Sequence, residues 1–357
     1  MGLSKEELLR YNRQIRIPEF GLSAQEKLKA ASVLVIGAGG LGSPVLMYLT
    51  AAGVGKIGIV ENDIIEVSNL QRQILFSEGE VGKEKISQAK ERLNTINGNV
   101  DIEIHSTRLT RINALEILKN YDIVLDGSDN FPTRYLVNDA CEILNKPFIS
   151  GAIYRFEGQV SVFNYSGGPT YRDLFEKPPS EEMAPNCATA GVLGMMAGIV
   201  GSIQATEAIK VLTGVGEVLS GKLLLIDALS MNFRKIRIQV NPKRKEITEL
   251  IDYEHYCNPN ANTLESITFD EFLKLKPQIK QLIDVRDPDE YAINNLGGEL
   301  MPLSEIEQYL PLIKQDGVVV VHCQSGMRSK RAIQLLKEKY GIGNLINLEG
   351  GLNAARS

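Results

Sequence analysis

Two groups of residues in this chain are typed and spaced for chemistry. In "VLVIGAGGLGSPVLMYL", Gly37, Gly39 and Gly42 stand in G-x-G-x-x-G spacing between an apolar run and a helix-like segment. Such glycines let the backbone turn tightly against a phosphate, and the free amides of the helix N-terminus favour its charge. Glu61 ends the next apolar run, where an acid can bind ribose hydroxyls. "SNLQRQ" at 68–73 then supplies Asn69, Gln71 and Arg72, and Lys83 and Lys85 follow. These side chains can neutralise a triphosphate, more positive charge than a redox dinucleotide needs. Asp126 and Asp129 in "LDGSDNFPTR" come after a further apolar run. A carboxylate facing phosphates needs a cation between them, and Mg2+ held by one or two carboxylates plus phosphate oxygens provides it. The same aspartates also suit capping of the next turn and helix, so both readings stand for each.

The second group lies in "VVVVHCQSGMRSKRA", 318–332. Cys323 follows an apolar run, and a short loop with Gly326 and Arg328 leads into a basic helix expected from Ser329. Inward-pointing loop amides and the helix N-terminus favour the thiolate, the nucleophilic form. Arg328 would hold the loop or an anionic ligand, with Arg286 close by. Cysteine phosphatases use a similar loop with one more residue between cysteine and arginine. The shorter loop leaves less room for a tetrahedral phosphate, so sulfur is favoured.

The elements that must position these groups read as alternating strands and helices. "VLVI", "KIGIV", "VDIEIH", "DIVLD" and "PFISGAI" are strand-like, and segments such as "KEKISQAKERLNTIN" between them have helical periodicity. The expected fold is α/β, a Rossmann-like doubly wound sheet with helices on both faces, followed by a smaller α/β domain. "GQVSVFN", "KLLLID" and "FRKIRIQV" add strands that need not be parallel. The segment 165–187 is rich in Pro and charge and reads as a lid or connection; 241–263 is a second irregular stretch. The domains are placed at 1–250 and 264–357, with a linker at 251–263.

The 43% hydrophobic fraction permits sizeable cores, and a net charge of −5 argues against nucleic-acid binding. Cys141, Cys187, Cys257 and Cys323 show no paired spacing, so a reducing, cytoplasmic setting is expected. Cys141 and Cys257 read as structural. The uncharged stretch from Ala188 to Thr206 approaches the length of a bilayer span, but its glycines and polar residues read better as a close-packed core helix pair, with no membrane partner.

On "RYNRQI", "GAGGLGSP", "SNLQRQ", "GKEK", "DGSDNFPTRYLVND", "CATAGVLG" and "GSIQATEAIK", residues 1 to about 255 resemble the ThiF/MoeB/HesA adenylyltransferases, relatives of the ubiquitin-activating E1 enzymes. The resemblance implies ATP- and Mg2+-dependent adenylation of the C-terminal glycine of a ubiquitin-like sulfur carrier protein of MoaD/ThiS type, ending in Gly-Gly. It assigns ATP contacts to the glycine loop with Gly40, to Glu61, Ser68, Asn69, Leu70, Gln71, Arg72 and Lys85, and to Asp129 and Asn130, with Asp129 on the metal. It also implies a homodimer in which Arg13 enters the neighbouring subunit's site, and it makes Cys187 a conjugating cysteine. Where relatives carry two C-x-x-C zinc pairs, this chain has Thr170 and Asp173, then Arg244 and Ile247, so no zinc is expected and those segments should be more mobile.

On "LIDVRDPDEY", "VHCQSGMRS" and "LEGG", the C-terminal domain resembles a rhodanese, although "NNLGGELMPL" lacks the usual histidine and proline. This implies sulfur transfer through Cys323, from thiosulfate or a cysteine desulfurase persulfide, to give a carrier thiocarboxylate. Rhodanese-fused relatives point to molybdopterin synthesis, with thiamine synthesis as the alternative route. A nicotinamide-dependent oxidoreductase and a non-catalytic carrier-binding scaffold are the readings from other classes.

Overall fold

The computed structural model describes residues 2–179, 191–257 and 265–355. They fall into two compact units, Met1–Cys257 and Asn258–Ser357. In the first unit the apolar runs become β1 (Ser32–Ile36), β2 (Lys56–Val60), β3 (Asp101–His105), β4 (Ile123–Asp126) and β5 (Phe148–Tyr154). These five are parallel in the order β3-β2-β1-β4-β5. The sheet continues antiparallel through β6 (Glu157–Phe163), β7 (Lys222–Asp227) and β8 (Asn232–Arg237).

Side chains alternate across a strand, so β1 shows which faces are covered. Val33 and Val35 join a core that includes Leu46 and Leu49 of the helix Gly42–Ala52 and Val200 of the helix Gly194–Thr213. Leu34 and Ile36 join the opposite core, with Leu118 of the helix Ala114–Leu118 and Leu136 of the helix Phe131–Ile143. The sheet is therefore wound on both faces. The strand order reverses between β1 and β4, and ligands of such sheets bind at the carboxyl ends beside that switch.

The apolar stretch expected as a helix pair is one continuous helix from Gly194, residues 180–190 lying outside the described part. It is long and apolar enough to cross a membrane. Its buried residues nevertheless belong to the protein core against β5 and β6, and among them Glu207 pairs with Lys210 and accepts the Leu219 amide at 2.8 Å. Gly201 permits this seating, because a side chain there would lie 2.7 Å from the Leu41 carbonyl.

The second unit is a parallel sheet in the order β11-β10-β12-β13-β9. Its strands are β9 (Ser266–Ile267), β10 (Ile279–Asp284), β11 (Glu299–Leu300), β12 (Val318–His322) and β13 (Leu345–Leu348). Val319, Val321 and Cys323 face Ala332, Ile333 and Leu336 of the helix Met327–Tyr340, while Val320 faces Phe272 and Leu348. That helix starts at Met327, two positions before the expected Ser329, because Gly326 in the left-handed region (φ 85°) ends the loop.

Two observations bear on the irregular segments. The segments around 170 and 244 are held together by charge: Asp173 accepts the Thr170 and Asn241 amides at 2.7 and 2.9 Å, and Arg244 lies 3.3 Å from Asp173 and 2.6 Å from Glu142. The linker also starts later than 251. Tyr253–Cys257 is a helix of the first unit, with the Tyr253 hydroxyl donating to Asp139 at 2.7 Å and Tyr256 accepting from Arg172 at 2.9 Å.

Candidate functional site

The glycine loop sits at the switch point and is packed to the limit of its backbone. A side chain on Gly37, which has φ 90°, would lie 3.2 Å from the Gly127 carbonyl, and one on Gly42 would overlap the Gly37 carbonyl. The segment after β4 is thus brought against the loop after β1. "SNLQRQ" closes the other side: a side chain on Gly39 would meet Gln73 Nε2 at 3.4 Å, and one on Gly40 would meet Arg72 Cγ at 3.4 Å. Gln73 is buried, and its Oε1 finds no hydrogen-bond partner among the described residues. A cradle of bare backbone with an orphaned amide oxygen on its wall suits a polar ligand.

Glu61 is buried, its Oε2 accepting the Ala38 amide at 3.0 Å and its Oε1 the Asn62 and Asp63 amides at 2.8 and 2.9 Å. It ties the end of β2 to the glycine loop. Lys85 begins the helix Lys85–Ile96, with a side chain only 6% exposed and its ammonium 3.0 Å from Asp63, whose carbonyl also accepts the Lys85 amide. Arg72 donates to the Ser68 carbonyl at 3.1 Å. Ser68 and Gln71 are exposed. Asn69 caps its own turn through the Glu66 amide, and the Leu70 side chain packs on the core.

After β4 the two aspartates separate. Asp126 is fully buried, accepts the Ser128 amide and hydroxyl, and pairs with Arg134 at 2.9 Å, so the capping reading holds for it. Asp129 is exposed beside Gly127 and remains available to a cation. Asn130 is exposed and caps the helix Phe131–Ile143 by accepting the Thr133 amide at 2.9 Å. Arg13 is exposed on the short helix Asn12–Ile15. Cys187 lies outside the described residues. Burial pushes the Cys141 thiol up and holds that of Cys257 at about 12, both poor nucleophiles, in keeping with structural roles.

In the second unit Cys323 is fully buried. Its carbonyl accepts the Leu352 amide at 2.8 Å, and Gly326 and Gly351 are needed because side chains there would strike the Leu348 and Gln324 backbones. The "LEGG" segment thereby seats the loop. Ser329 Oγ lies 3.6 Å from Cys323 Sγ and donates to Asn347 Oδ1 at 2.7 Å. Arg328 is engaged by the Glu290 carboxylate, with its two terminal nitrogens 2.6 and 2.7 Å from it. That pair holds the Glu290 carboxyl below its usual range and the Arg328 guanidinium above its own. Arg286 is buried, clamped by Asp284 at 2.6 Å, and donates to Gln324 Oε1 at 3.2 Å, fixing the residue after Cys323.

Comparison with known proteins decides the family. The ThiF family model matches residues 11–247, and the rhodanese-like domain model matches 268–357. The chain belongs to the ThiF family. This ThiF-family chain is 45% identical to the probable adenylyltransferase/sulfurtransferase MoeZ of Mycobacterium tuberculosis, over 99% of its own length and 94% of the relative's. It is 42% identical to the adenylyltransferase and sulfurtransferase MOCS3 of Drosophila yakuba, covering 99% and 83% respectively. The sulfur carrier protein adenylyltransferase of Thermus thermophilus is 53% identical over 72% of this chain and 99% of its own. Among solved structures, E. coli MccB superposes with a TM-score of 0.60 at 22% identity, covering 67% of this chain and 74% of its own; it shares the fold. The ThiF-family chain is an adenylyltransferase with sulfurtransferase activity.

Several residues that shape the two sites were not singled out from the sequence of this ThiF-family chain. Asp63, the partner of Lys85, was signalled only by a second acid two positions after Glu61. Gln73 closes a motif already recognised at Ser68–Arg72. Glu290, which holds Arg328, and Asn347, which holds Ser329, come from distant elements and carried no local signal.

Proposed function

We propose that this chain activates the C-terminal glycine of a ubiquitin-like sulfur carrier ending in Gly-Gly and converts it to a thiocarboxylate for molybdopterin synthesis. The observation that carries the proposal is the pairing, on one chain, of a backbone phosphate cradle bordered by Arg72 and Lys85 with a buried cysteine loop. The carrier's terminal carboxylate, already ionised at neutral pH, attacks the α-phosphorus of ATP, and pyrophosphate leaves as the acyl-adenylate forms. Arg72 and Lys85 stabilise the charge that gathers on the phosphoryl oxygens, each by about 2 to 4 kcal/mol in a closed site. Asp129, with phosphate oxygens, would hold Mg2+, whose charge offsets that of the triphosphate. Glu61 is assigned to the ribose.

In the second unit the Cys323 thiolate attacks the outer sulfur of a donor, thiosulfate or a protein persulfide, and the donor's sulfite or thiolate leaves. The outer sulfur of the Cys323 persulfide then forms a C–S bond with the activated carbonyl, and AMP departs. A second thiol, for which Cys187 is the candidate, attacks Cys323 Sγ and forms a disulfide with it, the thiocarboxylate leaves, and an external thiol reductant restores both cysteines. A homodimer that lends Arg13 across subunits and a cytoplasmic setting belong to the same proposal, as does the molybdopterin route over the thiamine route.

Pyrophosphate exchange with ATP, carrier and Mg2+ tests the first half. Exchange is expected; its absence together with NADH binding would establish a redox enzyme instead. Cys323→Ala is expected to abolish sulfur transfer from thiosulfate and leave exchange intact. Sulfur transfer retained in that variant would move the persulfide to another cysteine.

A further inference from the structure

The donor that meets the Cys323 sulfur is a side chain the sulfur-transfer proposal has not used. Cys323, Ser329 and Asn347 are each fully buried, directly after β12, on the following helix and on β13. The Ser329 hydroxyl lies 3.6 Å from Sγ and 2.7 Å from Asn347 Oδ1. A hydroxyl carries one proton, so it can donate to one of these acceptors at a time. Asn347 is itself fixed, with Nδ2 3.5 Å from the Ser266 hydroxyl of β9. Arg328, the charged group nearest in sequence, is occupied by Glu290 and does not fill this role.

We propose that Ser329 is a further catalytic residue of the sulfur-transfer site, its hydroxyl turning from Asn347 to Cys323 Sγ when the thiol ionises, with Asn347 as the positioning residue. This rests on Cys323 being the sulfur-carrying thiol. Loss of the thiol proton to solvent leaves the electron pair on Sγ, and a buried anion needs a donor far more than a buried thiol does. Rotation of one hydroxyl about Cβ–Oγ supplies it without moving the backbone. In the thiol form the same hydroxyl stays on Asn347, so neither state strands a buried donor proton. The charged groups of this unit near the loop are Arg328 on the same helix with Glu290 and Asp287 behind it, and Asp284 and Arg286 at the end of and after β10; His322, directly before Cys323, is titratable. Glu349 in the supporting segment is exposed.

The experiment is the rate of Cys323 alkylation by iodoacetamide against pH in the full-length chain, with the modified residue located by mass spectrometry. Ser329→Ala should move the midpoint upward and slow alkylation at neutral pH about tenfold, the loss of one hydrogen bond to a charged group. Ser329→Thr should restore it. Asn347→Ala should leave the midpoint in place or lower it, because the hydroxyl is then free to serve the sulfur. Thermal unfolding identifies any variant that fails to fold, and the threonine variant tests the hydroxyl independently of that loss. An unchanged midpoint in Ser329→Ala overturns the proposal. So does an equal rise in Ser329→Ala and Asn347→Ala, which would make the pair structural only. Failure of Cys323→Ala to abolish sulfur transfer would instead overturn the assignment of the thiol, a result alkylation does not depend on.

Discussion

Lys85 places a charge in the first site with almost no solvent to support it. Its side chain is 6% exposed, and the Asp63 carboxylate at 3.0 Å is the partner that holds it in position. A nucleotide phosphate arriving at the glycine loop competes for the same ammonium. Lys85→Met should therefore lower pyrophosphate exchange about 30-fold to 1,000-fold, the range for one lost charge stabiliser, mainly through kcat/KM. Asp63→Asn should cost less, because the ammonium survives but is no longer aimed; a loss as large as that of Lys85→Met would mean that Asp63 itself contacts the reacting groups. At the second site His322 is fully buried, with neither ring nitrogen hydrogen-bonded among the described residues, and burial pulls its pKa below the usual value. Its depressed folded value means that the stability it contributes is present above the ordinary histidine range near 6.5 and is lost as pH falls through the folded value. Melting of the rhodanese-like unit should weaken as pH drops below about 6.5, and His322→Phe should flatten that dependence. An undiminished slope in the variant would assign it to other groups.

The helix Gly194–Thr213 shows how an element far along the chain sets the nucleotide loop. Gly201 lets it approach Leu41 and Pro44 at the start of the glycine-loop helix, and Gln204 donates to the Asp126 carbonyl at 2.8 Å. Gly201→Val should push the two helices apart and destabilise the first unit by about 1 to 3 kcal/mol, read by thermal unfolding, with weaker ATP binding. Retained ATP affinity at reduced stability would uncouple the helix from the loop. The charge staple is a second test at this scale. Asp173 is fully buried and Arg244 faces it, so Arg244→Ala should cost about 3 kcal/mol where a surface pair would cost far less. The strands were legible from sequence because continuous apolar runs such as 33–36 and 57–60 state their burial on both faces locally. The staple was not: absent cysteines at 170, 173, 244 and 247 say that zinc thiolates are missing, but not that Glu142, over 100 residues from Arg244, turns toward it. Asp126 was ambiguous for the same reason, since the deciding partner, Arg134, appears only once the next helix is folded. The glycine loop, whose constraint is backbone contact within one turn, was readable in place.

At the scale of the whole molecule, the proposal assigns to the first site a cation, Arg13, from a neighbouring subunit. Arg13 is exposed on the helix Asn12–Ile15, in a segment whose Leu9 and Ile17 are also exposed, 76% and 49%. An apolar surface around an arginine suits a subunit contact in which the charge enters the neighbour's cradle. Mixed dimers distinguish this from action within one subunit. If Arg13 serves the partner's site, a dimer of Arg13→Ala and Asp129→Ala subunits holds one complete site: the Arg13→Ala subunit keeps its own Asp129 and receives Arg13 from its neighbour. The other site lacks both. Random reassociation of the two inactive variants in equal amounts should then recover about a quarter of the wild-type pyrophosphate exchange, since half the dimers are mixed and half their sites complete. If Arg13 serves its own chain, or stays on the surface, every site in the mixture lacks one residue or shows no Arg13 dependence to complement, and no recovery appears. Exchange recovered in proportion to mixed-dimer formation would place Arg13 across the interface, and its absence after verified reassociation would remove it from the site.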